Sequence, residues 1–224
     1  MIESLISVII PCRNGTNYLA EVVASVKKQN MNVEIIIVDD GSTDGTAKTA
    51  RSLGCKTVSI PHSGLSAARN EGIKNASGDF IMFLDHDDIM NEGALDLLYQ
   101  ELKNEPEAML VEAMLEDFIS PELDNESKSR LVSRPESYYG LLTGAVLFRR
   151  EVFEHIGGFD EKLETGQGVD FMLRIKAKEI KTKRLDFVSC RRRLHNTNMG
   201  RTLQKEENRD YSTLLREKLR KIRS

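Results

Sequence analysis

The chain has 224 residues, 40% of them hydrophobic and 30% charged, with a formal net charge of −3. This length suits one sizeable α/β domain with a core of its own, and the composition is that of a globular protein, not a fibrous or disordered one. No apolar run approaches the ~20 residues of a membrane span, and Cys12, Cys55 and Cys190 lack CxxC spacing, which suits free thiols in a reducing cytoplasm.

The opening MIESLISVIIPCRNG carries Glu3 and no basic leader, so Leu5 to Pro11 reads as a buried strand and not as a signal peptide. Leu19, Val22, Val23 and Val26 then fall at helical spacing within Tyr18 to Lys28. Val33 to Val38 is a second strand, and Thr43 is placed to cap a helix through Leu53. Lys56 to Ile60 is a third, weaker strand, followed by a helix from Leu65 to Asn75. Phe80 to Leu84 forms a fourth strand, and Glu92 to about Lys103 a further helix. The segment from about Pro106 to Ser137 is rich in Glu, Ser and Asp and reads as irregular, a rim. Gly140 to Phe148 returns to strand character. Arg150 to Ile156 is a short helix stopped by Gly157-Gly158, and Gly166 to Lys178 is helical after a GQG entry. Ser212 to Ile222 is a basic amphipathic helix.

Strands alternating with helices predict a parallel sheet with right-handed crossovers, and such sheets bind ligands beyond the carboxyl ends of their strands. Three strands here run directly into polar clusters: Cys12-Arg13-Asn14, Asp39-Asp40 and Asp85 to Asp88. Asp85, Asp87 and Asp88 would repel one another in a crevice unless a cation or protons offset their charge. A hard divalent ion is suited to that position, because Mg²⁺ or Mn²⁺ takes one or two carboxylates and completes its shell with substrate phosphates. Other chemistries find no support. GSTDGT lacks a P-loop lysine, no GxGxxG follows the first strand, no GxSxG elbow appears, and the four histidines and three cysteines have no zinc spacing.

Charge is unevenly distributed. Residues 176–224 carry 16 Lys and Arg against 6 Asp and Glu, a surplus of +10, whereas residues 1–175 carry 16 against 29, a balance of −13. A basic end on an acidic body suggests an anionic counterpart, whether phosphate, membrane surface or nucleic acid; a solvated basic helix is the plainer alternative. Nucleic acid is disfavoured, since this segment offers only Phe187 and Tyr211 for stacking.

The stretches SVIIPCRNG, IIIVDDGSTDGT, LSAARNEGIKNASGDFIMFLDHDD and RREVFEHIGGFDEKL, in that order over roughly residues 5 to 175, resemble family 2 glycosyltransferases. The resemblance implies a GT-A fold: a Rossmann-like three-layer α/β/α sandwich with a mostly parallel sheet. It also implies one domain over residues 1–224, with a nucleotide-binding half (1–105), an acceptor and catalytic half (106–195) and a basic tail (196–224). The implied reaction is sugar transfer with inversion from a nucleotide sugar, a UDP-sugar being favoured, with Mn²⁺ or Mg²⁺. The acceptor would be a glycan, a lipid-linked group or a protein. The setting would be cytoplasmic, with a peripheral membrane contact through the tail.

Carried over onto this chain, Pro11, Arg13 and Asn14 lie along the nucleoside, Asp39 bonds the base, and Asp40 stands beside it. Arg69 lies near the phosphates, Asp85 and His86 line the cofactor, Asp87 is the metal ligand, and Asp88 lies behind it or faces the sugar. His195, in RRRLHNTNMG, is a metal or phosphate contact whose flanking arginines fold over the diphosphate. One departure stands out. The family sets its Glu-Asp base pair shortly before the arginine of a D-hydrophobic-x-LR helix; counting back from Arg174, those positions are Gln167 and Gly168. Asp170 or Glu164 reads as a displaced base, with Asp170 the candidate; otherwise the acceptor is already anionic, or the protein binds its donor without efficient turnover.

Overall fold

The computed structural model describes residues 4–140 and 144–198. Its strands are β1 (Ile6–Cys12), β2 (Val33–Asp40), β3 (Lys56–Ile60), β4 (Phe80–Phe83), β5 (Ile89–Met90), β6 (Leu110–Ile119), β7 (Tyr138–Tyr139), β8 (Val146–Arg149) and β9 (Thr182–Leu194). Its helices are α1 (Leu19–Lys27), α2 (Thr46–Ser52), α3 (Leu65–Asn75), α4 (Ala94–Asn104), α5 (Asn125–Ser129), α6 (Glu151–Ile156) and α7 (Gln167–Ala177). The strands form one sheet in the order β3-β2-β1-β4-β8-β6-β9-β5, with β7 on the side of β6.

The apolar runs seen in the sequence become the centre of this sheet. Every residue of β1 and of β4 is buried, as expected of strands covered on both faces. β1, β2, β3 and β4 pair in parallel, with Cys12 opposite Asp39. β8 is inserted antiparallel between β4 and β6, and β9 then runs parallel to β6. The carboxyl ends of β1, β2, β4, β6 and β9 therefore share one edge, and the sheet curls so that the short turn after β4 reaches β5 beside β9. Helix α3 packs on β1 and β2, α1 on β2 and β5, and α4 on β6, β8 and β9. Phe83, Phe148, Phe153, Phe159 and Phe171 form edge-on and stacked pairs that fasten α6 and α7 to the sheet. Each such pair contributes ~0.5–1.5 kcal/mol beyond its burial.

Three expectations need correction. The segment read as an irregular rim contains β6, a ten-residue strand that pairs with β7, β8 and β9. Its Glu112, Glu116 and Asp117 face Arg184 at 2.7 Å, Arg191 at 3.2 Å and Arg192 at 3.9 Å on β9. Part of the acidic composition that suggested a rim, namely Glu112, Glu116 and Asp117, is thus one half of a cross-strand charge ladder. The other half is β9, a 13-residue strand that the sequence reading left unassigned in the basic segment. Part of that segment's surplus charge is answered inside the fold. The strand expected over Gly140 to Phe148 is confined to β8, with the short β7 before it; residues 141–143 lie outside the described residues. Thr43 caps nothing: α2 begins at Thr46, whose N–H (3.0 Å) and hydroxyl (2.5 Å) are bonded by Asp44 Oδ1. The helix expected over Ser212 to Ile222 lies outside the described residues.

Candidate active site

The shared edge of the sheet gathers the loops after β1, β2, β3 and β4 and the end of β9. Asn14, at φ 54, joins the first two: its N–H donates to Ser42 Oγ (2.9 Å) and its Oδ1 accepts from Thr43 N–H (2.9 Å). Asp39 is buried, and its Oδ1 accepts from Ser42 N–H at 3.1 Å. Asp40 secures the loop after β3, accepting from Ser63 N–H (2.6 Å), Gly64 N–H (3.1 Å) and His62 Nδ1 (2.8 Å). His62 Nε2 in turn lies 2.7 Å from Nη1 of the exposed Arg13. Pro11 is buried in β1 opposite Val38.

The first loop also touches the fourth. A Cβ on Gly15 would stand 2.3 Å from Cys12 Sγ and 2.5 Å from His86 Cδ2, so only glycine allows His86 to lie against this turn. Burial, with the charge of Asp39 added, pushes the Cys12 thiol up to about 12, which makes it a packing group and not a nucleophile.

Around the aspartate turn the geometry is tight. Asp87 is 9%, Asp88 2% and His195 6% exposed. His195 Nε2 lies 2.8 Å from Asp87 Oδ2. Thr197 N–H donates to His195 Nδ1 at 3.3 Å, so the imidazole hydrogen sits on Nε2 and faces the carboxylate. The Thr197 hydroxyl, 2.9 Å from the same Nδ1, donates to it as well in this tautomer. Asn198 adds an Oδ1 acceptor for His195 N–H (2.6 Å) and an Nδ2 donor to Arg193 O (3.0 Å). Burial by itself would raise the Asp87 carboxyl; the hydrogen bond from His195, with the electrostatic pull of the His86 and His195 imidazoles, outweighs it and holds it below the usual range. Burial, then the charges of Asp87 and Asp85, push Asp88 well above it.

Arg193 organises this turn from beneath. Its N–H donates to Asp88 Oδ1 (2.9 Å), its Nε to the Asp87 carbonyl (2.8 Å) and its Nη1 to Ser120 Oγ (3.2 Å), and Nη2 pairs with Glu21. The guanidinium lies over Tyr18 and Phe118, and the Tyr18 ring stacks obliquely against His195 at 5.1 Å. Hydrogen bonds from Ser120 and Tyr18 bring Glu122 down to about 2. On the other side of the turn, Arg69 is 4% exposed, lies over Phe83 and Phe159, and reaches Asp85 at 3.6 Å. Among the described residues, buried Arg69 Nε and Ser66 Oγ lack a hydrogen-bond partner. The unsatisfied donor of Arg69, beside Asp85, suits an anionic ligand.

Asp87 suits a divalent cation, and His195 can join it only once the hydrogen that Nε2 donates to Asp87 is displaced from between them and the Thr197 N–H contact at Nδ1 is given up. With that hydrogen gone, their 2.8 Å separation is close to the ~3 Å between neighbouring ligands of one Mg²⁺ or Mn²⁺. Among the described residues no three His, Cys, Asp or Glu side chains converge for a metal, so the pair would leave most positions to phosphate and water.

Asp170 stands elsewhere in the structure's bonding. Its Oδ2 accepts from Arg174 Nε at 2.9 Å, and Arg174 also donates to the carbonyls of Ile156 (2.7 Å) and Gly158 (2.8 Å). The Gln167 amide donates to the carbonyls of Leu163 (3.2 Å) and Glu164 (2.7 Å) in front of α7. Arg191 and Arg192, expected over a diphosphate, are instead held by Glu116 and Asp117. The sequence reading missed His62, and it set Arg193 over the diphosphate with its neighbours, whereas Arg193 is buried beneath the aspartate turn. The rule of polar groups after strand ends, applied to β3, would have found His62; nothing local marks Arg193 among three consecutive arginines.

Residues 7–157 match the family described as Glycosyl transferase family 2. The chain belongs to that family. It is 39% identical over 108 residues to the glycosyltransferase GlyG of Streptococcus pneumoniae, covering 45% of this chain and 36% of that protein. It is 30% identical over 197 residues to the minor teichoic acid biosynthesis protein GgaA of Bacillus subtilis, covering 78% of this chain and 44% of the relative. The chain thus spans less than half the length of these two relatives. Among solved structures, Staphylococcus aureus TarS in complex with UDP-GlcNAc superposes with a TM-score of 0.68 at 21% identity, over 86% of this chain and 59% of that one. The mannosyltransferase PcManGT of Pyrobaculum calidifontis, in complex with GDP-Man and Mn²⁺, gives 0.62 at 19% identity, over 85% and 57%. These likenesses bear out the GT-A fold.

Proposed function

We propose that this chain transfers a sugar, with inversion, from a nucleotide sugar to a glycan, lipid-linked or protein acceptor, and that a Mn²⁺ or Mg²⁺ ion held by Asp87 and His195 supports the reaction. The observation that carries this reading is the buried Asp87–His195 pair at the edge where four strand ends and their loops meet. A UDP-sugar is the favoured donor. TarS has been crystallised with UDP and UDP-GlcNAc, and PcManGT with GDP-Man and Mn²⁺, which supports a nucleotide-sugar donor while leaving both nucleotides to be tried.

Each residue then has a task. Asp39 accepts from the base, since Ser42 engages only its Oδ1 among the described residues. Arg13 and Asn14 border the nucleoside with Pro11 beneath them, and Asp40 holds the loop that completes this end. Arg69, with its unpartnered Nε, faces the phosphates beside Asp85 and His86. A divalent ion, when bound, offsets negative charge growing on the departing diphosphate. Asp170 takes the acceptor's proton, with Arg174 holding its Oδ2. The work is assigned to the cytoplasm, with residues 196–224 contacting an anionic membrane surface; salt-sensitive liposome flotation that disappears on deleting Thr202 to Ser224 is the expected result.

Incubation with UDP-, GDP- and dTDP-sugars plus Mn²⁺ tests the central reading: one donor should bind and be slowly hydrolysed, and failure of all of them would refute it. A second reading is favoured by one specific observation. Gln167 and Gly168 stand at the family's base positions and Asp170 is already bonded to Arg174. On this reading the protein binds a nucleotide sugar without turning it over.

A further inference from the structure

From this arrangement we infer that His62 is a positioning residue for the nucleoside end of the site: its neutral ring fixes the place of the Arg13 guanidinium by relaying it to Asp40. The inference rests on the nucleotide-sugar reading and goes beyond the residues that the family resemblance assigns.

The hydrogen-bond directions are dictated by chemistry. A guanidinium only donates, so the contact of Arg13 Nη1 with His62 Nε2, at 2.7 Å, requires a lone pair on Nε2. The ring hydrogen is then on Nδ1, 2.8 Å from Asp40 Oδ2, which accepts it. Asp40 cannot turn away, because Ser63 N–H at 2.6 Å and Gly64 N–H at 3.1 Å also hold its two oxygens. Every donor in the series Arg13, His62, Asp40 meets an acceptor, and reversing the ring tautomer would set a donor against a donor at Arg13. The backbone is constrained as well. Gly41 has φ +69, and a Cβ there would stand 2.8 Å from His62 N, so the loops after β2 and β3 are in direct contact.

This matters because Arg13 is otherwise an exposed, long side chain on a loop. Ordering such a side chain only when ligand arrives weakens binding; holding it beforehand removes that cost. His62 does so without touching the ligand. Half of its own side chain is exposed, so replacing it leaves the core intact.

Two measurements test this together. Long-range ¹H–¹⁵N correlation spectra of the free protein should show the His62 ring neutral with its hydrogen on Nδ1, and Arg13→Ala should shift the Nε2 signal while Asp40 keeps the hydrogen on Nδ1. A ring carrying its hydrogen on Nε2 in the parent overturns the proposal whether or not nucleotide binds. Calorimetric titration with UDP and with GDP, in Mn²⁺, then compares side chains that keep one contact each. Asn at this position can donate to Asp40 but is too short for Arg13, whereas the Gln carbonyl reaches Arg13. His62→Gln should bind within about twofold of the parent, and His62→Asn and His62→Ala about tenfold more weakly, the loss of one charge-assisted bond. His62→Ala combined with Arg13→Ala should be no weaker than Arg13→Ala alone. Equal losses in the Gln and Asn variants, or additive losses in the double variant, refute the relay. If the parent binds neither UDP nor GDP, the nucleotide reading fails instead, and the ring tautomer alone decides the Arg13–His62–Asp40 arrangement.

Discussion

Arg193 and Asp87 are 106 positions apart, yet the guanidinium Nε of the first donates to the main-chain carbonyl of the second at 2.8 Å. A strand from the end of the described chain thereby holds up the turn that follows β4. Arg193 is 2% exposed, so its bonds to Asp87 and Ser120 cannot be replaced by water without opening the site. Arg193→Met should therefore destabilise the protein by about 2–4 kcal/mol, because it leaves buried acceptors unpaired. Urea unfolding of the two proteins measures it; a change below about 0.5 kcal/mol, as for an ordinary surface site, would show that the turn stands without this support.

The metal reading makes a separate demand on the two side chains of the pair. Asp87→Ala and His195→Ala should each weaken Mn²⁺ binding, followed by electron paramagnetic resonance with UDP present, by at least about tenfold. Asp85→Ala, whose carboxylate lies against Arg69, should have a smaller effect. Unaltered Mn²⁺ affinity in both Asp87→Ala and His195→Ala would remove this pair from the metal's shell.

Turnover separates the two functional readings. Gly168 occupies the first turn of α7, where a carboxylate is favoured by the helix dipole and replaces a poor helix former. If Asp170 is the base, Asp170→Asn should abolish donor-to-acceptor transfer while donor binding persists. If the protein is silent, the parent shows binding without transfer, and Gly168→Asp gains activity of at least about tenfold, the lower range expected for a positioned base. Transfer by the parent that survives Asp170→Asn would exclude both assignments.

Acid stability has a definite sign at the loop joining β2 to α2. Burial, the largest single influence, opposes ionisation of Asp44, but the bonds from Thr46 and Thr16 together outweigh it and bring the group from 3.8 to about 2. Its folded value lies below its unfolded one, so its contribution is fully present above pH ~4 and is lost as pH falls towards ~2. The group is largely exposed, and screening limits the contribution to about 1 kcal/mol. Asp44→Asn should lower stability at pH 6 by about that amount and flatten the decline between pH 4 and 2. Parallel stability curves for the two proteins over that window would contradict this assignment.

The first 104 residues were largely legible because their signals are local. Apolar runs at β1, β2 and β4, helical spacing in α1 and α3, and carboxylates directly after strands are each contained in a few consecutive residues. Directed by the rule that ligands bind at strand ends, those signals alone pointed to one polar edge. β6 and β9 escaped because neither is an apolar run: the charged side chains along them are paired with each other, an arrangement visible only once residues about 70 positions apart are set side by side.

Chain order and residue type by themselves determined the strand–helix alternation, the parallel half of the sheet and the supply of carboxylates to its edge. The tertiary structure decided that β9 runs in the same direction as β1 and β4, and so delivers His195 to Asp87 and Arg193 beneath it. The physical reason is the reach of the interactions involved. Periodicity and turn chemistry act over a few residues, whereas strand direction and register are settled by pairing and burial across the whole sheet.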